Sequence, residues 1–286
     1  MVLLLSGCIS TPEKGATNES QTANIKVTKP QNKTFGSDRV SVAGSTTVLP
    51  LAEATGEEFN AAHYDIGVSV TGGGSGVGIK NIAFGLSDIG IASREVTSDE
   101  KSRYGNKFSE SLVGYDGIAI AVSKQIYDAG VTSLTKDQIK KIYSGEISNW
   151  NVLGGPNEEI YVLAREQGSG TRDAFNEDIM GDRKAETPGV DTVEMSSAGI
   201  KTAITGSNKA IGYLGFGYVQ QGNVGVIAVE GVKPTIETIK DGSYALSRKL
   251  YFYTFGEAKP AAQEYIDFVT GTEGRKIVEE NGFIPL

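Results

Sequence analysis

Three times along the 286-residue chain, a short apolar run passes through a loop of Gly, Ser and Thr into a segment with helical apolar spacing. This recurrence constrains the fold more than any other feature. In the first unit, Arg39-Val40-Ser41-Val42-Ala43 leads through Gly44-Ser45-Thr46-Thr47 into a helix whose inward positions are Val48, Leu51, Thr55 and Phe59. Pro50 falls in the first turn of that helix, where a missing N–H costs little. In the second unit, Ile66-Gly67-Val68-Ser69-Val70 runs through Thr71 to Gly76 into a short helix over Val77 to Phe84. In the third, Ile160-Tyr161-Val162-Leu163 runs through Arg165 to Gly170 into a helix over Thr171 to Ile179. A strand feeding a helix through a tight loop is the unit of alternating α/β folds, with the loops gathered at the carboxyl ends of the strands.

Two further runs, Leu112 to Val122 and Leu250 to Phe255, have the continuous apolar character of strands buried on both faces. They read as crossover strands at which the chain leaves one lobe and later returns. Residues 39–115 plus 250–286 are then expected to form lobe 1, and residues 116–249 lobe 2. Thr135 and Gln138 stand at capping-box spacing at the head of a helix over Thr135 to Tyr143. Ala262, Tyr265, Ile266 and Val269 mark an amphipathic helix near the C-terminus. From Ile9 to Asp38, by contrast, Ser, Thr, Asn, Gln, Lys and Pro dominate, the composition of a solvated tether.

Composition removes several function classes. The 37 glycines follow no fixed period, which excludes collagen-like architecture. No run approaches the roughly 20 apolar residues that a membrane-spanning helix needs. A net charge of −8 argues against nucleic acid, whose phosphates are bound by clustered Lys and Arg. With one cysteine and one histidine there is no internal disulfide and no Cys/His zinc site. No metal or cofactor is expected, and the chain is expected to be a monomer.

What the loops can do follows from backbone electrostatics. A helix start leaves four N–H groups unpaired and carries partial positive charge, so it holds an anion without a full countercharge. Glycine lets the backbone come close, and hydroxyls rotate their donors onto a tetrahedral oxygen. Ser45, Thr46, Thr47, Ser75, Ser169, Gly170 and Thr171 all lie in such loops. Each taken singly is equally well an ordinary cap or turn residue. Arg165 changes the balance, because it precedes Glu166-Gln167-Gly168-Ser169-Gly170-Thr171 at a strand end, placed for a bidentate contact to an oxyanion. Its alternative is a salt bridge with Glu166 or Asp173. Ser93 and Arg94, following Ile89-Gly90-Ile91-Ala92, add a fourth loop.

Gly44 to Val48, Gly72 to Gly76, Asp88 to Arg94, Tyr143 to Trp150 and Arg165 to Arg172 occur in the order in which their counterparts occur in the phosphate-binding proteins of phosphate ABC importers, and the chain resembles that family over roughly Val40 to Tyr218. The resemblance implies a two-lobed type II periplasmic-binding-protein fold, α/β with two crossover hinge strands. It implies inorganic phosphate held in the interlobe cleft and handed to the membrane permease and ATPase of an importer. It places Ser45, Thr46, Thr47 and Ser75 on one side of the anion, and Arg165, Ser169, Gly170 and Thr171 on the other. One position departs: where the best-known members carry a carboxylate after the serine matching Ser93, this chain has Arg94. A buried acceptor that pairs with the phosphate O–H would repel sulfate, and sites built around a hydroxyl reject analogues lacking it strongly. Asp116, in Tyr115-Asp116-Gly117, is the candidate acceptor, with a turn or hinge aspartate as its alternative.

An enzyme is the competing class. A hydrolase using a loop serine needs a base beside it, yet the only histidine, His63, lies at the expected end of the first helix. No GxSxG elbow, no GxxxxGK[ST] loop and no GxGxxG after a strand occurs. The expectation is a receptor without turnover; a phosphate sensor is the other reading. Leu5-Ser6-Gly7-Cys8 resembles a bacterial lipobox after the short apolar stub Val2 to Leu5. Residues 1–38 therefore read as a truncated lipoprotein signal, a lipidation site at Cys8 and a tether, which would anchor the protein on the outer face of the cell membrane or in the periplasm. An incidental cysteine is the alternative.

Overall fold

The computed structural model describes residues 38–220 and 222–286, so Cys8, the lipobox and the tether lie outside the described residues. Nine strands form one curled sheet: β1 (Asp38–Gly44), β2 (Ile66–Gly72), β3 (Ile89–Ala92), β4 (Phe108–Val122), β5 (Tyr161–Arg165), β6 (Thr192–Glu194), β7 (Ala210–Gly215), β8 (Gly225–Val226) and β9 (Ser247–Phe255). Their order is β2-β1-β3-β9-β4-β7-β5-β6, with β8 pairing β4. β1 runs parallel to β2 and β3, and β5 runs parallel to β6 and β7, so each half of the sheet keeps the expected alternating α/β grain. Between the halves, β4 and β9 are antiparallel.

β4 runs through both halves of the sheet. Its first part pairs β9, and its last five residues, Ile118 to Val122, pair β7. It begins four residues earlier than its apolar run because Phe108 to Ser111 pair with β9 although Ser109 and Glu110 are exposed. β9 likewise begins early, at Ser247, and its register sets Arg248 opposite Asp116. The C-terminal tail adds a bridge here, Tyr115 and Ile284 exchanging backbone hydrogen bonds at 2.8 and 3.0 Å.

The helices of six residues or more among the described residues are α1 (Leu49–Ala62), α2 (Ser75–Ala83), α3 (Ser98–Tyr104), α4 (Lys136–Tyr143), α5 (Gly170–Phe175), α6 (Ser197–Thr205), α7 (Pro260–Thr270) and α8 (Thr272–Glu280). α1 buries Leu51, Thr55 and Phe59 as its spacing predicts, and α7 buries Ala262, Tyr265, Ile266 and Val269. Thr135 and Gln138 do form a reciprocal capping box on α4. The third helix differs from expectation: α5 stops at Phe175 and the chain continues as a π-helical turn over Asn176–Met180. Asn176 is drawn inward to donate to the carbonyls of Arg183 and Ala185, which widens the turn. One core gathers Val40, Phe59, Val113, Leu250, Phe252 and Tyr265; another gathers Ile118, Trp150, Val162, Phe175, Tyr213 and Leu246. Among the described residues, no helix is long and apolar enough to cross a membrane.

Candidate functional site

Parallel strands end on the same side of a sheet, so the loops after β1, β3 and β5 and the starts of α2 and α6 converge. At Gly44 the chain turns with φ +141°, and a Cβ there would strike the carbonyl oxygen of Ile91, so only glycine lets β1 and β3 deliver their loops side by side. Ser45 Oγ donates to Ser93 Oγ at 3.1 Å, and Ser75 Oγ accepts the Ser93 N–H at 3.1 Å. These three hydroxyls from the first lobe are all buried. Facing them, Gly170 of α5 is packed so closely that a Cβ would lie 2.6 Å from Ser93 Oγ and closer still to Ser75 Oγ.

The remaining hydroxyls bridge the lobes. Thr47 Oγ1 lies 2.9 Å from Thr171 Oγ1 and 3.3 Å from Ser197 Oγ. Arg165, 1% exposed, sends Nη2 to Thr46 Oγ1 at 2.9 Å and Nη1 to Ser197 Oγ at 3.0 Å. Of the two roles weighed for Arg165, the salt bridge is formed, since Nε and Nη2 also meet the Glu166 carboxylate at 2.8 Å each. Tyr218 donates to the Thr46 carbonyl at 2.6 Å, and burial pushes its phenol up to about 12. Ser169 accepts the Arg172 N–H as the N-cap of α5.

Two of the expected ligands are turned to other partners. Arg94 forms a bidentate pair with Glu100, 2.8 Å on each arm, and its Nε lies 2.7 Å from Asp173 Oδ2 across the cleft. Burial works against the Arg94 charge, but Glu100 and then Asp173 outweigh it and hold the guanidinium above its ordinary range. Asp116, fully buried, accepts the Phe216 N–H at 3.0 Å on Oδ1 and Arg248 Nη2 and Nε at 2.8 and 3.2 Å on Oδ2. Burial raises the Asp116 carboxyl above its usual range, against the opposing charge of Arg248.

Ser197 and Arg248 join the hydroxyl cluster, and sequence reasoning singled out neither. Ser197 had a signal: Ser196-Ser197-Ala198-Gly199 after β6 repeats the strand, small-residue loop and helix pattern of the other units. Arg248 had none, since it sits within a strand and reaches the cluster only through the pairing of β9 with β4. His63 caps the end of α1, stacked on Phe59 with ring centroids 4.0 Å apart and 3.0 Å from Glu264, outside the cluster of hydroxyls. Among the described residues no group of three or more His, Cys, Asp or Glu side chains is arranged to hold a metal ion.

A family model described as a PBP superfamily domain matches residues 16–273. The phosphate-binding protein PstS of Bacillus subtilis is 32% identical over 288 residues, covering 100% of this chain and 93% of that protein. A Clostridium perfringens protein assigned as a phosphate ABC transporter substrate-binding protein, solved with bound phosphate, is 38% identical with a TM-score of 0.81, covering 87% of this chain and 100% of that one. An ABC-type phosphate transport receptor from Vibrio cholerae is 31% identical with a TM-score of 0.70, covering 86% of this chain and 100% of that one.

Proposed function

The chain belongs to the periplasmic-binding-protein superfamily, and within it to the phosphate-binding proteins, and we propose that it captures inorganic phosphate between its two lobes and delivers it to an ABC-type importer. The observation that carries this reading is the buried bridge from Arg165, on the second lobe, to Thr46 on the first, set among Ser45, Thr47, Ser75, Ser93, Thr171 and Ser197. An acidic chain gains nothing from its overall field when it binds an anion, so attraction must be local. Rotatable hydroxyls, backbone N–H groups and a guanidinium in a buried site supply it.

The groups proposed to contact phosphate are Ser45, Thr46, Thr47, Ser75, Ser93, Arg165, Ser169, Gly170 and Thr171. Arg94 is read as tying the lobes together through Asp173. Asp116 is read as holding Arg248 in place. The lobes are taken to divide near Asp116 and Leu250, where β4 and β9 cross between them. The protein is proposed to act outside the cytoplasm, anchored through a lipid on Cys8, with the permease and ATPase of the importer as partners and without turning phosphate over.

Isothermal titration with phosphate, sulfate and a phosphate ester tests the reading. Tight binding of phosphate with no release of product from the ester is expected. Arg165→Ala removes charge-assisted hydrogen bonds worth about 1.5–3 kcal/mol each and should weaken phosphate at least about tenfold. Phosphate affinity within threefold of the parent in Arg165→Ala would take Arg165 out of the site.

A further inference from the structure

We infer that Arg248 is a second guanidinium of the anion site, contacting the bound oxyanion directly, and that Asp116 serves to position it. The inference rests on the phosphate-binding reading above and adds a ligand that neither the loop motifs nor the order of those motifs points to.

A guanidinium carries five N–H groups in a fixed fork. Arg165 directs Nε and Nη2 to Glu166, Nη2 also to Thr46, and Nη1 to Ser197, so four of its five donors are engaged within the protein. Its charge is largely answered by Glu166 at 2.8 Å. Arg248 directs Nε and Nη2 to Asp116 and Nη2 to Thr47 Oγ1 at 3.2 Å. That leaves both N–H groups of Nη1, which is buried and has no hydrogen-bond partner. A buried, unpaired cationic donor is costly, and proteins keep one where a partner arrives from outside.

Its position identifies that partner. Thr47 Oγ1, which Nη2 reaches, is the same hydroxyl that meets Thr171 and Ser197, so the Arg248 fork lies at the centre of the interlobe cluster. Arg248 also lines a cavity of about 290 Å³ together with Ser93 and Arg94. Asp116 saturates one side of the fork and leaves the other free. The carboxylate is itself occupied by Arg248 and by the Phe216 N–H, so it is poorly placed to take a proton from the ligand. Burial lowers the hold of Arg248 on its proton, Asp116 opposes this, and Arg165 and Asp178 are the other charges it feels. An incoming dianion would restore favourable charge around it.

The test titrates phosphate and sulfate into the parent, Asp116→Asn, and the double variant Asp116→Asn with Arg248→Gln, which avoids stranding a lone buried charge. Asp116→Asn loosens the anchor of the Arg248 fork, so it is expected to bind phosphate more weakly than the parent while keeping its preference over sulfate. The double variant is expected to melt without ligand no lower than Asp116→Asn, because it removes the charge that the single variant leaves unpaired, yet to bind phosphate at least about tenfold more weakly than Asp116→Asn, with a smaller phosphate-induced rise in melting temperature. Equal affinities of the single and double variants would overturn the assignment. So would a loss of phosphate-over-sulfate preference in Asp116→Asn, which would put the carboxylate on the anion. If the double variant does not fold, Arg248→Lys decides: it keeps the charge beside Asp116 but cannot span Asp116, Thr47 and a ligand, so at least a fivefold loss is expected, and parental affinity overturns the inference. A parent that takes up neither anion overturns the phosphate reading and this inference with it.

Discussion

Gly170 lies where the second lobe comes nearest to the hydroxyls of the first. A methyl group there would press on Ser75 Oγ and on Ser93 Oγ, 2.6 Å away, and lie 3.2 Å from Arg94 Cγ. All three neighbours come from the other half of the sheet, so under the proposed capture between lobes the clash falls on the closed, ligand-bound state. Gly170→Ala should therefore leave the melting temperature of the ligand-free protein within about 2 °C while weakening phosphate at least about tenfold, as read by titration. Small-angle scattering of the same variant should show no compaction on adding phosphate. At this scale the sequence was legible where a residue type and its loop together carry the chemistry. Ser45 and Ser75 reach Ser93 through backbone turns that Gly44 and Gly74, beside them, permit. Arg94 was legible as a cleft residue but not as a partner of Glu100 and Asp173, because which carboxylate a long, flexible guanidinium meets depends on packing across the cleft.

Helix starts divide into those that serve the fold and those that face the cleft. Thr135 is of the first kind: its side chain accepts the Gln138 N–H at 3.1 Å, and Gln138 accepts the Thr135 N–H at 2.8 Å, a pairing readable from spacing alone. Thr135→Ala should cost about 1 kcal/mol of stability, and so lower the melting temperature by roughly 2–4 °C, with phosphate affinity unchanged. A calorimetric scan beside a titration checks both halves. Ser75 and Ser197 open α2 and α6, but their side chains turn to Ser93 and to Arg165 and Thr47. Both kinds of serine and threonine look alike in sequence, because a cap and a ligand contact use the same donors and acceptors. The π-helical turn after α5 was not legible either; Asn176 at its start is held by the carbonyls of Arg183 and Ala185 downstream, contacts that no local pattern announces.

At the scale of the whole molecule, the two lobes are tied across the cleft by Arg94 with Asp173 inside and by Lys184 with Asp99 at the rim, 2.7 Å apart in each case. The rim pair is exposed on both sides, so it tunes closure weakly and through screened charge. Asp99→Lys sets two ammonium groups against each other there. Phosphate affinity should fall about two- to fivefold at low ionic strength, and most of that loss should vanish in 1 M salt, as measured by titration at both. By itself, the sequence determined the alternating strand, loop and helix units, the loops that carry the hydroxyls and Arg165, and the two apolar runs that cross between lobes. Each of these depends on neighbours along the chain, through periodicity, capping and backbone freedom. Only the tertiary structure decided that Arg248 reaches Thr47 in the hydroxyl cluster and that Asp116 pairs with it. That pairing comes from the register of β9 on β4, which brings together residues 132 positions apart. Strand register is set by packing over the whole sheet, and no local pattern around Ser247 or Arg248 announces it.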